Sequence, residues 1–124
     1  MIVGPGFTTP ITDLIRQRYS CRTYHSRPIS PEDHQKLKAL VDQSQSGPFQ
    51  NTPRLKIITS TEDDGQSIKR LGTYGFIKDP KAFLIGAIQD KKGALEDLGY
   101  QMELFILWAT ELGIGSCWLG GTFT

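Results

Sequence analysis

The segment from Lys91 to Leu112 constrains this chain more than any other. Leu95, Leu98, Met102, Phe105, Ala109 and Leu112 recur at spacings of three and four, the period of a helix packed along its length. After Glu103, the run to Ala109 is apolar on nearly every side. A helix apolar all round must be surrounded, so the spacing predicts a central helix over 91–112. At a rise of ~1.5 Å per residue it would be about 33 Å long. Gly113 and Gly115 mark its end. The rest of the chain must pack around this rod.

Two shorter helices are expected before it. Thr9-Pro10 reads as an N-cap with proline in the first helical position, followed by Ile11, Leu14 and Ile15 on one face, giving a helix to about Tyr19. Ser30-Pro31-Glu32-Asp33 opens the second, with Leu37, Leu40 and Val41 as its buried stripe. Residues 47–53 form a loop rich in turn formers. Leu55–Thr59 is a short strand, and a brief helix over 67–71 leads to a turn at 72–75. Ala82–Ile88 is apolar on both faces, which places it inside a sheet. Ser116–Leu119 starts a further strand after the long helix. Helix, helix, strand, strand, helix, strand is an α+β order, not alternating βαβ, and 124 residues make one domain.

Fourteen Lys and Arg against thirteen Asp and Glu leave a net charge of +1. No lopsided basic field exists to carry nucleic-acid or anionic-membrane binding. The two cysteines, Cys21 and Cys117, are too few for a disulfide-stapled domain and lack zinc-ligand spacing. The first ten residues have no signal-peptide core, and the apolar run 104–109 is too short to span a bilayer. A reducing, cytoplasmic setting is the expectation.

Against this neutral background, residues 16–24, RQRYSCRTY, gather Arg16, Arg18 and Arg22 around Ser20. One reading is a helix end whose cations complement the helix dipole. The other is an anion site: Arg18, Ser20 and Arg22 alternate, so in an extended segment they share one side, with Tyr19 and Cys21 turned inward and Arg16 left on the helix. Forked guanidinium donors and a hydroxyl suit a phosphate.

Other chemistry ranks lower. The glycines of GIGSCWLGG follow a helix and enter an extended segment, the reverse of a dinucleotide-binding loop. Cys21 lies among arginines, but neither His25 nor His34 is spaced to pair with it as a nucleophile, and both read as surface or loop residues. Asp90, Glu96, Asp97 and Glu103 are spread around the long helix without forming an acid pair or a metal cluster. Glu103 enters an apolar stretch and needs a buried hydrogen bond or a partner chain.

Arg18-Tyr19-Ser20-Cys21-Arg22, with Tyr24 and Arg27-Pro28-Ile29-Ser30, resembles the opening signature of the nitroreductase-like flavoproteins. The stretch from Ala94 to Gly121 is similar to that family's central helix and following strand, in the right order and at a fitting distance. Gly47-Pro48-Phe49, Tyr74-Gly75 and Cys117 to Phe123 further resemble a branch that carries two nitroreductase-like halves in one longer chain. This chain, one domain over 1–124, would match the first half.

The resemblance implies an α/β/α layered fold with a mostly antiparallel central sheet and a long central helix, incomplete at the C-terminus. It implies an FMN-dependent oxidoreductase that takes hydride from NAD(P)H and passes electrons to a nitroaromatic, quinone or related small-molecule acceptor. Arg18 and Ser20, with Tyr19 between them, would hold the phosphate and ribityl chain, and Arg22 would lie near the N1/O2 edge of the ring. Asn51 matches the position for the pyrimidine edge, although the family's usual Gln-Pro-Trp-like continuation reads Thr52-Pro53-Arg54 here. Trp118, Leu119, Gly120 and Gly121 would pass the N5 side, with the Gly120 N–H as the N5 contact; an ordinary tight turn is the alternative for the two glycines. Further basic residues for the phosphate lie, in the family, beyond the point matching Thr124. A homodimer, or a pseudo-dimer with a second half, would complete the site. Two rival functions remain: a flavin- or ligand-binding protein without turnover, and a half-length scaffold or dimerisation piece.

Overall fold

The structure, a computed structural model, describes residues 7–24, 29–43, 45–59 and 81–119. The elements are α1 (Ile11–Gln17), α2 (Pro31–Asp42), β1 (Arg54–Thr59), β2 (Ala82–Ala87) and α3 (Ala94–Glu111). The expected helix over 67–71 and turn at 72–75 lie outside the described residues, as do Gly120 and Gly121.

α3 is the central rod. It packs against α1, α2 and β2, and its 18 residues run about 27 Å. It starts at Ala94, behind Gly93 in a left-handed conformation (φ +77°). Its buried side runs through Ala94, Asp97 and Gln101 before reaching Phe105 and Ala109. The expected apolar stripe is therefore wrong at its first member, because Leu95 is 78% exposed. An inward-facing polar row, satisfied by hydrogen bonds, takes the side that apolar periodicity assigns to leucine.

β1 and β2 pair antiparallel, with Ile57 opposite Leu84 and Leu55 opposite Gly86. The Arg-Leu-Lys-Ile alternation of β1 turns Leu55 and Ile57 to the core and leaves Arg54 and Lys56 exposed. Leu37 of α2, Ile57 of β1, and Phe105 and Ala109 of α3 form the buried cluster, with Leu40, Val41 and Leu84 packed against it. Among the described residues β2 pairs only with β1, so its expected place inside a sheet is not filled, and Ile85 is partly exposed. No helix of the described residues is long and apolar enough to cross a membrane.

The first two helices differ in their starts. Ser30 caps α2 as expected, its Oγ accepting the Asp33 N–H at 3.1 Å with Pro31 in the first turn. Thr9 does not cap α1: Pro10 is the N-cap residue, and the Thr9 N–H donates instead to Glu111. α1 also ends earlier than Tyr19, with Arg18 already extended (ψ 134°).

A carboxylate near each end of α3 fastens the chain around it. Asp97, fully buried, accepts the Phe49 N–H at 2.9 Å, the Asn51 N–H at 2.8 Å and the Asn51 side-chain amide at 2.9 Å. A Cβ at Gly47 would come within 2.6 Å of the Asp97 side chain, so only glycine lets this loop close over it. Glu111 accepts the Thr8 N–H at 2.6 Å and the Thr9 N–H at 2.5 Å, with the Thr8 hydroxyl at 3.0 Å. Next to it Phe7 stacks on Trp108, ring centroids 5.2 Å apart. Burial raises the pKa of both carboxyls. The backbone and side-chain donors outweigh it and hold both below the usual carboxylate range.

A group whose folded-state pKa is depressed contributes stability that is complete above its unfolded value and fades as pH falls through the folded one. The urea midpoint of the wild type is therefore expected to drop on acidification below about pH 4. In the double variant Asp97→Asn, Glu111→Gln the midpoint should be lower at neutral pH and much flatter across the acid range. Equal acid slopes in the two proteins would rule out both ties as the source.

Candidate functional site

α3 ends in a turn that aims the chain at α1. The Gly113 N–H bonds the Thr110 carbonyl at 2.9 Å and the Ile114 N–H bonds the Ala109 carbonyl at 2.8 Å, with Gly113 left-handed at φ +79°. This closure of the last orphan carbonyls requires glycine at that position and sends Ile114–Leu119 away extended.

Ser116 then meets the segment leaving α1. Ser20 and Ser116 form a parallel β-bridge, and the Cys21 N–H donates to the Ser116 carbonyl at 2.9 Å. Arg18 reinforces it, Nε donating to Ser116 Oγ and Nη2 to the Ser116 carbonyl, both at 3.3 Å. Among the described residues the expected third strand, Ser116–Leu119, reduces to this one bridge. In a parallel pair, residues in register share a side. Arg18 lies with Ser116 on one side of this bridge, and the Cys21 side chain packs against Gly115, where a Cβ would come within 2.9 Å of it.

The fold thus joins two motifs nearly a hundred residues apart. Of the three arginines, Arg16 stays on the helix surface, 3.7 Å from Asp13, whereas Arg18 is half-buried on Ser116 and Arg22 is exposed. Tyr19 departs from expectation: it is 70% exposed rather than turned inward, because the chain has already left the helix and no described element covers that side. Cys21 is half-buried. The Tyr24 hydroxyl donates to the Cys21 carbonyl at 2.6 Å. Burial, with the neighbouring Cys21 and Cys117 adding to it, pushes the Tyr24 phenol up to about 12.

Trp118, 44% exposed, donates its indole N–H to Glu103 Oε1 at 3.2 Å. That answers the question raised by a carboxylate in an apolar stretch: its hydrogen bond is within the chain. Beside the ribbon lies a cavity of about 590 Å³, walled by β2, by Met102 and Phe105 of α3, and by Ile114–Leu119, with Tyr24, Lys81 and Ser116 as polar groups. A smaller one of about 200 Å³ has Gln17, Arg18, Thr110 and Ser116 on its walls.

Asn51 does not join this cluster. Its side-chain amide donates to the Lys92 carbonyl at 3.0 Å and to Asp97. Asp97 and Thr110 are about 20 Å apart along α3 and roughly 140° apart around it. What Asn51 retains for a ligand is its side-chain carbonyl, an acceptor. Two residues that matter to this geometry escaped the sequence reading. Ser116 sits in a stretch that reads only as strand, and Asp97 had a faint signal in its phase with Ala94 and Gln101 on the helix.

The arrangement offers guanidiniums, hydroxyls and an indole along two joined segments, next to an apolar cavity. It suits a ligand with an anionic end and a flat aromatic end. The Trp118–Glu103 bond is checked in a Trp108→Phe background that leaves one indole emitting. Glu103→Leu should shift its emission to the red as the ring is released, whereas Glu103→Gln, which keeps an acceptor, should not. Unchanged emission in the leucine variant would show that this bond does not hold the ring.

Residues 10–124 match the family described as "Putative TM nitroreductase". Among solved structures the chain is similar to "a putative nitroreductase in complex with fmn" from Desulfovibrio desulfuricans, at 23% identity and a TM-score of 0.69, covering 92% of this chain and 70% of that one. A nitroreductase family protein from Clostridium difficile 630 aligns at 23% identity and a TM-score of 0.68, covering 94% and 70%. An FMN-dependent nitroreductase from Clostridium difficile R20291 aligns at 20% identity and 0.60, covering 86% and 58%. Comparison with curated proteins finds no match. At these identities the structural likeness speaks for the fold, an α+β nitroreductase fold. The family match spans the helices, the sheet and both halves of the Ser20–Ser116 ribbon, and the chain belongs to the nitroreductase family.

Proposed function

We propose that this protein is an FMN-dependent oxidoreductase that uses NAD(P)H to reduce a nitroaromatic, quinone or related acceptor. The observation that carries this reading is the Ser20–Ser116 bridge, which sets the arginine–serine motif beside the segment leading to Trp118. FMN, when bound, would supply hydride acceptance from the nicotinamide and electron delivery to the acceptor. The chain's own residues fit it by donor type. Arg18 and Ser20 would bind the phosphate and ribityl hydroxyls, with Tyr19 exposed alongside them. Arg22, exposed two residues past the Ser20–Ser116 bridge, would place positive charge at the ring's N1/O2 edge and favour its reduced, anionic form. Trp118, held by Glu103, would flank the ring, and Leu119, with Gly120 and Gly121 next in the sequence, would offer backbone N–H groups to it. The apolar cavity beside Trp118 has room for a flat acceptor.

Asn51 supports a site shared between two chains or two halves. Its side-chain carbonyl suits the imide N–H of the pyrimidine, yet within one chain it stands at the other end of α3 from Arg18. A second copy, or a second half, would bring it to the ring.

FMN titration of the purified chain, followed by absorbance and by flavin-dependent NAD(P)H oxidation, tests the reading. Loss of a charge-assisted contact worth about 1.5–3 kcal/mol weakens binding roughly ten- to hundred-fold. Arg18→Ala and Arg22→Ala should each do so, and Arg16→Ala should not. Binding that is intact in both variants would exclude the site. Bound flavin without acceptor reduction would favour a binding protein without turnover, and a light-scattering mass reports whether two copies are needed.

A further inference from the structure

The cavity beside Trp118 contains a charge that the proposed function leaves unused. Its volume of about 590 Å³ is that of a small-molecule site. Its floor is the core itself, the buried Leu37, Ile57, Phe105 and Ala109, and β2 and Ile114–Leu119 contribute walls. Among the described residues that line it, Lys81, next to the start of β2, is the only one with a charged side chain, and none is acidic. Lys81 is half-buried, and among the described residues no carboxylate pairs with its ammonium. Glu103 accepts the Trp118 indole N–H and is not a lining residue. An ammonium beside an apolar wall gains more from a counter-ion than it would in open water, because apolar surroundings screen poorly.

The other polar groups of the lining do not oppose an anion. The Tyr24 hydroxyl donates to the Cys21 carbonyl at 2.6 Å, and burial, which pushes its pKa up to about 12, keeps it a neutral phenol at physiological pH. Ser116 Oγ accepts from Arg18 Nε, which leaves its own O–H free to donate. Apolar floor, aromatic side chains, one unpaired cation and one spare hydroxyl together describe the occupant. We propose that this cavity binds an aromatic carboxylate, its ring against the apolar lining and its carboxylate on the Lys81 ammonium. That such an acid is the class of electron acceptor selected here rests on the flavin reading; the binding itself does not. A neutral aromatic of the same size would keep the apolar contacts and lose the ion pair.

The test compares 4-nitrobenzoate with 4-nitrobenzamide, which are alike in size and differ in charge. Each is titrated into the full 124-residue chain without flavin, with binding read by equilibrium dialysis and by quenching of Trp118 in the Trp108→Phe background. The acid should bind about tenfold more tightly than the amide, the low end for a charge-assisted contact because Lys81 is only half-buried. In Lys81→Met that advantage should vanish while the amide binds as before, which also shows that the variant is folded. Lys81→Arg should retain it. Equal affinities in the wild type, an advantage that survives Lys81→Met, or binding that leaves Trp118 unquenched would each overturn the proposal, as would no binding of either compound. Neither flavin nor NAD(P)H enters these titrations, so failure here and failure of the FMN site are separate results.

Discussion

α3 can occupy the middle of this protein because the carboxylates near its two ends are satisfied by backbone. A buried carboxylate without donors would be expelled or protonated. Asp97 instead gathers three N–H donors from Phe49 and Asn51, and Glu111 gathers the N–H groups of Thr8 and Thr9. Each tie gives an acceptor to loop N–H groups that have no ladder to join, and at Asp97 it also removes the desolvation problem of an acid in the core. The apolar cluster of Leu37, Ile57, Phe105 and Ala109 supplies the driving force between these two fastenings but does not choose how the loops lie.

The candidate site depends on the same helix. Its last turn, closed through Gly113, sets the direction of Ile114–Leu119, while Glu111 in that turn holds the segment that leads into α1. α1 is only seven residues long, so Arg18 emerges within reach of Ser116. Arg18 spends its guanidinium on Ser116 Oγ and carbonyl, which sets the height of the arginine side above the ribbon. Ser116 is thus the junction of the whole region, receiving the Cys21 N–H as well.

Much of this was legible from residues alone, and the exceptions share a cause. The long helix, the Ser30-capped helix and the Arg54–Thr59 strand follow from local spacing and capping chemistry, which the tertiary fold did not override. The start of α1, the exposure of Leu95 and Tyr19, and the role of Asp97 were misread or missed because each is decided by a partner far away in the chain. Thr9 has the side chain of a cap, but the helix starts one residue later, with Pro10 at the cap position and no side-chain cap bond, while the Thr9 N–H is tied to Glu111. Asp97 has the side chain of a surface residue, but Gly47 leaves room for a loop to cover it. Within the site, the alternation of Arg18, Ser20 and Arg22 is visible, whereas the pairing of Ser20 with Ser116 is not, because a bridge between residues 20 and 116 leaves no local signature. The position of Asn51 against Asp97 is of the same kind.

The two contacts that seat the segment around α1, Thr8 to Glu111 and Arg18 to Ser116, span 103 and 98 residues. Closing loops of that size carries a large entropic cost before any contact compensates for it. Pairings so distant in sequence belong to the slow end of folding, after helices and hairpins have assembled locally. The ribbon is therefore a late product of folding, formed only once the central helix is docked at both ends.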